Sequence, residues 1–343
     1  MNWPLPFYLE QPGEALALGP LVHVEGAHPQ EEGSFMMTTV TMLKANLAIY
    51  LYAQLTPHTE LLPVERILLP GESPREYTQR QFEVMDQSQQ AALIAAFRFA
   101  GVPLEVRTEG VQVSGILPGM PAEQALRLGD RIESVDGKRI HRTEDLVGYL
   151  EQKQVGDEVL LEVTREAKRL KVRVTLAALR GAGESPSGPV RPGIGVHLIT
   201  LQQVEPSRKV EFSIEQIGGP SAGLMLTLEL VNQLLTEDLT KGYAIAGTGT
   251  MDSRGQVGQI GGIVHKVAAA HRAGADFFFV PADRRPSDEN QRLAEEAAAA
   301  LGTSMRVVPV RSLQEAVAFL RQLPPKAAGD AAALVWPEQV SRL

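Results

Sequence analysis

The sequence predicts an α+β protein with more than one domain. Its 343 residues exceed the ~100–200 residues of a typical domain. Between residues 102 and 179, short apolar segments alternate with Gly and Pro turns, which indicates a small β-rich module with one helix around residues 143–152. From residue 194 to residue 323, strand and helix patterns alternate as in a domain of catalytic size.

Composition narrows the classes of function. A net charge of −8 and a pI near 5.5 are the opposite of the basic surface that nucleic-acid binding requires, so we expect no nucleic-acid partner. With 44% hydrophobic and 22% charged residues, the chain can build a folded core. Because no cysteine occurs, disulfides, cysteine-ligated zinc and a cysteine nucleophile are excluded. Chemistry must come from Ser, Thr, Lys, His or carboxylates.

The N-terminal part is predicted to form strands followed by one helix. Residues 21–24 and 35–42 carry β-branched, partly alternating side chains, as in strands. A helix is predicted over residues 86–100, with Asp86 as its N-cap and Gly101 as its stop. The Gly, Ser and Pro content of residues 180–189 favours a linker.

The C-terminal part alternates strands and helices. Leu224, Leu228 and Val231 follow the spacing of one buried helical stripe within a helix predicted over residues 220–235. The other predicted helices cover residues 263–273 and 290–301, and a last one starts at the capping box Ser312-Leu-Gln-Glu315. Strands are predicted at residues 209–214, 244–247, 277–280 and 305–310.

One serine stands in a motif suited to catalysis, Gly218-Gly-Pro-Ser-Ala-Gly223. Pro220 suits the first position of a helix, which places Ser221 in the first turn, among backbone N–H groups without intrahelical partners. Such donors stabilise the oxyanion of an acyl-transfer intermediate. The alternative is that Ser221 merely helps to cap the helix. The seven histidines show no pattern of a Ser–His–Asp enzyme, and Pro220 replaces the flexible turn of a nucleophile elbow.

A lysine is the other candidate for the base. Lys266 follows Gly261-Gly262 at the start of an otherwise apolar helix. Burial among apolar groups lowers the pKa of an amine, so a lysine there can be neutral near pH 7. The alternative is a solvated lysine on a helix surface.

Three motifs in this order resemble the proteolytic domain of the Lon family over about residues 193–323: Gly218-Gly-Pro-Ser-Ala-Gly223, Thr248-Gly-Thr-Met-Asp-Ser-Arg-Gly255 and Gln259-Ile-Gly-Gly-Ile-Val-His-Lys266. The resemblance implies that Ser221 is the nucleophile and Lys266 its base. It also matches Thr248 to a family threonine that hydrogen-bonds near the lysine.

The neighbours of these residues are assigned supporting roles. Gly219 and Ala222 flank the nucleophile turn and are expected to support it. We expect the substrate to bind as a strand beside Gly247, Thr248, Gly249 and Thr250. No Gly-x-x-x-x-Gly-Lys-Ser/Thr motif occurs, so proteolysis is expected to need no ATP or other nucleotide. Thr250 stands where the ATP-dependent members have Glu.

The middle module resembles a PDZ domain through Gly110-Val-Gln-Val-Ser-Gly-Ile-Leu-Pro-Gly-Met-Pro-Ala122 and Leu128-Gly-Asp-Arg-Ile-Glu-Ser-Val-Asp-Gly137. Such domains bind extended peptides by strand addition and hold a C-terminal carboxylate on backbone N–H groups. The predicted carboxylate loop is Gly101, Val102, Pro103 and Leu104. The alternative is a module that acts only as a spacer or dimer contact.

The whole chain resembles membrane-anchored bacterial Lon-like proteases with a PDZ domain inserted into a discontinuous proteolytic domain. The predicted division is residues 1–85 and 193–323 for the proteolytic domain, 86–100 for a connecting helix, 101–180 for the PDZ domain, 181–192 for a linker and 324–343 for a loosely attached tail. The resemblance implies an upstream membrane anchor and a homo-oligomer. If the anchor exists, we expect the protein on the extracytoplasmic face of the cell membrane, and otherwise we expect it to be soluble. The first eight residues resemble an aromatic membrane-interface segment, and an ordinary frayed start explains them equally well.

The sequence therefore predicts an ATP-independent serine endopeptidase with a Ser221–Lys266 dyad and a peptide-binding PDZ module. The alternative function is an inert PDZ adaptor that binds peptides without cleaving them. No cofactor or metal is expected, because Asp130, Asp136 and Asp157 lie beside glycines in turns, where short carboxylates bind the backbone. His265 is predicted to be a solvated or packing residue.

Overall fold

The computed structural model describes residues 4–28, 32–56, 58–68, 72–179, 190–214 and 217–327. The chain divides into two compact units, the first made of Met1–Leu104 with Pro206–Leu343 and the second of Glu105–Glu205. With 33% helix and 36% strand, the predicted α+β class is confirmed. The first three residues, most of the predicted linker and residues 328–343 of the predicted tail lie outside the described part.

The elements are numbered in chain order. The strands are β1 (Pro4–Ala17), β2 (Val22–Val24), β3 (Ser34–Asn46), β4 (Glu60–Pro63), β5 (Leu104–Ile116), β6 (Arg131–Val135), β7 (Lys138–Arg139), β8 (Glu158–Arg165), β9 (Lys168–Thr175), β10 (Ala177–Leu179), β11 (Arg191–Gly193), β12 (Val196–Pro206), β13 (Val210–Phe212), β14 (Ala244–Gly247), β15 (Thr250–Met251), β16 (Val257–Gly258), β17 (Phe277–Pro281) and β18 (Arg306–Val310). The helices are α1 (Leu47–Leu55), α2 (Val64–Ile67), α3 (Pro74–Ala100), α4 (Ala122–Ala125), α5 (Thr143–Leu150), α6 (Gly223–Leu234), α7 (Ile263–Arg272), α8 (Asn290–Leu301) and α9 (Leu313–Gln322), with a 3-10 turn at Pro220–Ala222 before α6.

The first unit is built on a six-stranded sheet in the order β18-β17-β14-β3-β1-β4. Strands β3, β14, β17 and β18 run parallel, whereas β1 is antiparallel to both β3 and β4. All four residues of β14 are buried, as expected for a central parallel strand covered on both faces. Because β1, β3 and β4 precede the second unit in the chain and β14, β17 and β18 follow it, both segments of the first unit share one sheet.

Helix α6 carries the serine motif into the core. Every residue of α6 is buried, including Leu224, Leu228 and Val231 of the predicted stripe. A helix that is apolar on most of its surface and buried all round belongs in the centre of a layered domain. The 3-10 turn before α6 is therefore held by a rigid element.

Helix α3 starts earlier than the sequence predicts. Ser73 is the N-cap, its hydroxyl accepts from the Glu76 N–H at 3.3 Å, and the Glu76 carboxylate accepts from the Ser73 N–H at 2.8 Å. The prediction of Asp86 as N-cap is wrong, because this capping box with Pro74 at the first position already satisfies the helix start at Ser73, well upstream of Asp86. Asp86 is an exposed residue in the middle of α3. The predicted end is confirmed, since Gly101 closes the helix with φ +67°.

The second unit is a smaller β-rich module. Its sheet has the order β12-β5-β6-β8-β9, with β7 paired to β6. Its core contains Val111, Ile132, Leu146 and Leu161, each fully buried. Asp130, one of the turn carboxylates, is also fully buried and forms an ion pair of 2.6 Å with Arg165. Burial opposes its charge, but hydrogen bonds from Arg165 and from the Arg127 N–H lower the pKa of Asp130.

The predicted boundary at residue 180 is wrong. Strand β10 pairs with β11, with Ala177 opposite Gly193, and β12 then joins the sheet of the second unit. The stretch rich in Gly, Ser and Pro thus connects two paired strands of one unit. Composition alone could not reveal this, because a loop inside a domain and a linker between domains use the same residue types.

The apolar run at residues 47–55 forms the short helix α1, which begins where Asn46 accepts a hydrogen bond from the Ile49 N–H. Leu51 and Leu55 of α1 are 55% and 85% exposed. In the part of the chain that the structure describes, no helix has both the length and the hydropathy to cross a bilayer.

A buried carboxyl group links α6 to β2. Glu229 is 4% exposed and accepts a hydrogen bond of 2.6 Å from Gln233, which also donates to the Val22 carbonyl at 2.7 Å and accepts from the Val24 N–H at 2.9 Å. Burial raises the pKa of Glu229 to about 7. The carboxyl group is therefore protonated in the folded protein over a pH range where it is ionised in the unfolded chain.

This network makes stability depend on pH. Between the ordinary pKa of 4.5 and about 7, the unfolded chain loses the Glu229 proton before the folded protein does, so stability falls as pH rises through this window and is level above it. The shift corresponds to roughly 3 kcal/mol. We expect Glu229→Gln to raise the melting temperature at pH 8 and to change it little at pH 4.5, measured by calorimetry. An equal change at both pH values, or one shared by the exposed control Glu83→Gln, would contradict this account.

Candidate active site

The serine turn is shaped by two glycines and by contacts with α3. Gly219 has φ +94°, a left-handed conformation, and its N–H donates to the Gln81 carbonyl at 2.9 Å. A Cβ atom at Gly218 would lie 2.6 Å from the Gln81 Cβ. Ser88 is buried, and its hydroxyl donates to the Pro220 carbonyl at 3.1 Å. Close packing against α3 thus requires glycine at position 218, and the positive φ requires it at position 219.

The structure brings Ser221 and Lys266 together. The Lys266 Nζ lies 2.6 Å from the Ser221 Oγ, 3.2 Å from the Thr248 Oγ1 and 3.1 Å from the Thr38 carbonyl oxygen. The serine comes from the turn before α6, the lysine from α7, Thr248 from the end of β14 and Thr38 from β3. Four separate elements therefore converge on one amine.

The environment of this amine disfavours its charge. Lys266 is 3% exposed, and burial lowers its pKa to about 8, whereas the negative charge of Glu10 opposes the shift. Burial and the negative charge of the neighbouring Glu60 raise the pKa of Glu10. The positive charge of Lys266 lowers it, but by less. The alternative of a solvated surface lysine does not hold, because the side chain points into the protein.

Thr248 connects the lysine to the serine turn. It is fully buried, and its hydroxyl donates to the Ser221 carbonyl at 3.1 Å while lying within reach of Lys266. The Gly249 N–H donates to the same carbonyl at 2.9 Å. Two hydrogen bonds thereby fix the Ser221 carbonyl, and the backbone N–H groups of Ser221 and Ala222 lie in the first turn, where such groups have no intrahelical partner.

The dyad lies at the wall of a cleft with a volume of about 380 Å³. The cleft is lined by side chains of β3, by Met85 of α3 and by Ile217 and Gly218 just before the serine turn. Its apolar lining includes Leu16, Met37 and Val40. The cleft can hold a few residues of an extended peptide.

The predicted substrate strand is wrong. Gly247 lies between Met37 of β3 and Phe279 of β17 in the sheet, the Thr248 N–H donates to the Phe279 carbonyl, and Thr250 pairs with Gly258. The Gly249 N–H donates to the Ser221 carbonyl, and the Gly249 carbonyl accepts from the Leu224 N–H. The backbone of Gly247–Gly249 is thus already used, so a peptide cannot pair along the predicted segment. The sequence could not show this, since it does not reveal which side of a strand is covered.

Another strand edge faces the cleft. Strand β3 pairs with β14 only up to Met37, where β14 ends at Gly247, while its other edge continues along β1. In the described part of the chain, no strand covers the β14 side of β3 beyond Met37. Thr39, Val40 and Thr41 of this edge line the cleft beside Ser221.

The predicted carboxylate loop of the PDZ domain is also wrong. The Gly101 and Val102 N–H groups donate to the Arg98 and Phe97 carbonyls and close α3, and Pro103 has no N–H group. Two N–H donors of this segment thus form hydrogen bonds at the end of α3, and the third donor is absent because Pro103 has no N–H. The segment cannot hold a carboxylate on its backbone.

A better candidate lies at the other end of the second unit. Gly193-Ile-Gly-Val196 leads into β12, an edge strand of the sheet, and Gly195 has φ +80°. The Ile194 and Gly195 carbonyls accept from the Ala122 and Leu117 N–H groups, which fixes the turn. The Gly-x-Gly pattern before an apolar strand is the signal in the sequence that marks this turn.

Comparison with known proteins identifies the two domains. Residues 216–321 match the family model of the Lon protease (S16) C-terminal proteolytic domain, and residues 99–176 match that of the PDZ domain. A Lon protease of Erwinia amylovora is 35% identical over 107 residues, which are 31% of this chain and 13% of that protein. A Lon protease of Desulfosudis oleivorans is 40% identical over 88 residues, 26% of this chain and 10% of that protein. The chain thus spans a small fraction of the length of these relatives.

Among solved structures, the PDZ domain of the SdrC-like protein from Listeria monocytogenes is 29% identical, covering 27% of this chain and 92% of that chain with a TM-score of 0.24. The two domain matches show that this chain combines a PDZ domain with a proteolytic domain of the Lon type, which confirms the resemblance to these two domains.

Proposed function

We propose that the protein is an ATP-independent serine endopeptidase that uses Ser221 and Lys266 as a catalytic dyad. The observation that carries this proposal is the 2.6 Å separation between a buried lysine amine and a serine hydroxyl at the start of a helix. A serine becomes a nucleophile when an adjacent base takes its proton, and an uncharged amine is such a base. The sequence contains no phosphate-binding motif, which supports cleavage without ATP.

The mechanism follows from the groups around the cleft. A peptide segment pairs with the exposed edge of β3, which places its scissile carbonyl beside Ser221. The neutral amine of Lys266 takes the hydroxyl proton as the oxygen attacks, and the Ser221 and Ala222 N–H groups stabilise the oxyanion. The ammonium then returns the proton to the leaving amine. Water, deprotonated by the same lysine, releases the acyl group and restores the serine.

Removal of either dyad member should abolish cleavage. We expect Ser221→Ala and Lys266→Met each to lower the rate of cleavage of an unfolded protein such as reduced casein by roughly 10³-fold or more, because dyad members act as a unit. The measurement is peptide release without added nucleotide, with melting temperatures as the check on folding. Lys209→Met, at a lysine side chain that is 73% exposed, is the matched control and should leave the rate unchanged.

Cleavage by either dyad variant at the rate of the parent protein would refute the mechanism. If the parent protein binds a peptide with a free C-terminus but releases no product, the alternative of an inert PDZ adaptor holds instead. These outcomes separate an enzyme from a binding protein with one set of variants.

Thr248 should contribute through its hydroxyl. Thr248→Val keeps the shape of the side chain but removes the bonds to the Ser221 carbonyl and the Lys266 amine. Loss of one such interaction costs about 1–2 kcal/mol, so we expect a roughly tenfold or greater fall in kcat with little change in KM. Thr248→Ser should retain most of the activity. A fall in kcat of the same size in both variants would indicate a packing effect and contradict a role for the hydroxyl.

We also propose that the PDZ domain binds the C-terminal ends of peptides along β12. The Gly193–Val196 turn would hold the carboxylate on its N–H groups, and the peptide would add as a strand to the edge of the sheet. Helix α5 flanks the same strand, because the Thr143 N–H donates to the Thr200 hydroxyl at 3.0 Å. Val147 lies one turn after Thr143 on the same face of α5 and is 38% exposed.

This assignment predicts the effect of a charge in the groove. We expect Val147→Glu to weaken binding of an apolar peptide with a free C-terminus by at least about tenfold, since the carboxylate would have to be desolvated against an apolar side chain. Leu128→Glu, at a residue that is 67% exposed, is the control. Fluorescence anisotropy in the Ser221→Ala background gives the affinities. Equal binding of the amidated peptide, or equal loss in both variants, would contradict the proposed groove.

A further inference from the structure

Two carboxylates face each other across β1 and β4. The antiparallel register places Glu10 directly opposite Glu60. Glu10 is 9% exposed, so its charge is largely removed from water. Like charges directly opposite each other destabilise a strand pair. No salt bridge to either carboxylate occurs among the described residues. The charge of Lys266 lowers the pKa of Glu10, but burial in turn lowers the pKa of Lys266, so the pair of carboxylates leaves room for a further positive charge.

A histidine completes the cluster. His265 comes from α7 and is 5% exposed, so of the two predicted roles, solvated or packing, only the packing one agrees with the structure. Within the described residues, its Nδ1 atom has no hydrogen-bond partner although it is buried. A buried polar atom without a partner is costly, and a bound ion is one arrangement that would satisfy it. One ligand atom from each of Glu10, Glu60 and His265 lies within 4.8 Å of the others.

We propose that Glu10, Glu60 and His265 bind a divalent transition-metal ion, with Zn²⁺ as the best-matched candidate. One imidazole nitrogen and two carboxylate oxygens are ligand types that Zn²⁺ accepts, and three protein ligands leave a fourth position for water. The exposure of Glu60 gives the ion a path from solvent. This inference goes beyond the proposed protease function and does not rest on it.

The position of the cluster gives the ion a structural role. Its three residues lie on β1, β4 and α7, which are far apart in the sequence. An ion bound there would fasten the β1–β4 pair to the helix that carries Lys266. Because binding to the folded state alone stabilises that state, the ion should raise the melting temperature.

The test is zinc binding to the full chain carrying Ser221→Ala, freed of metal by a chelator. We expect calorimetric titration with ZnCl₂ to show one ion per chain and the melting temperature to rise. Glu60→Gln and His265→Gln should each weaken binding by at least about tenfold, as loss of a ligand does. Glu65→Gln and His271→Gln, exposed residues near the cluster on α2 and α7, are the matched controls.

Glu60→Gln is the decisive variant, because an exposed residue can be changed without loss of the fold. The proposal is overturned if no saturable binding of one zinc ion per chain occurs, or if Glu60→Gln and the two controls bind zinc equally well. Since every chain in the test lacks the serine hydroxyl, the result is independent of whether the protein cleaves peptides. Failure of one proposal is thus distinguishable from failure of the other.

Discussion

The burial of the Lys266 amine against three oxygen atoms is the constraint on which the rest of the site depends. An ammonium group is costly to remove from water, and burial therefore favours the uncharged form that can act as a base. The oxygen atoms come from a serine turn, a threonine after β14 and a carbonyl of β3. Their positions hold only if β3 and β14 are neighbours in one sheet, although they are more than two hundred residues apart in sequence. The chemistry of the site is thus a consequence of the sheet order.

This dependence explains why the proteolytic unit needs both of its segments. The segment after the PDZ domain carries Ser221, Thr248 and Lys266, and it is the one matched by the Lon proteolytic family. The segment before it supplies the Thr38 carbonyl, the exposed strand edge in the cleft and helix α3, which packs against the serine turn. A fragment with the three side chains alone would lack the exposed edge of β3 in the cleft and the Thr38 carbonyl that binds the amine.

Local signals in the sequence predicted what local interactions determine. Helix α8 has the predicted bounds because they depend on its own polarity pattern and on Gly302, which directly follows it. Ser221 and Lys266 were recognisable from the glycines beside them in the sequence. The start of α3, the place of β12, the paired backbone of Gly247–Thr250 and the opposition of Glu10 and Glu60 depend on strand pairing across long separations. Pairing partners are not encoded in any one segment, so these features appeared only in the structure.

In the proposed mechanism, the Lys266 amine activates the Ser221 hydroxyl. The most direct test of this activation is the rate at which a peptidyl β-lactone, which acylates nucleophilic hydroxyls, modifies the intact chain, with the modified residue mapped by mass spectrometry. The account predicts a single acyl group on Ser221 and a rate that falls by orders of magnitude when Lys266 is replaced by Met. Acylation of Ser221 at the same rate without the lysine, or acylation of a different side chain, would contradict it.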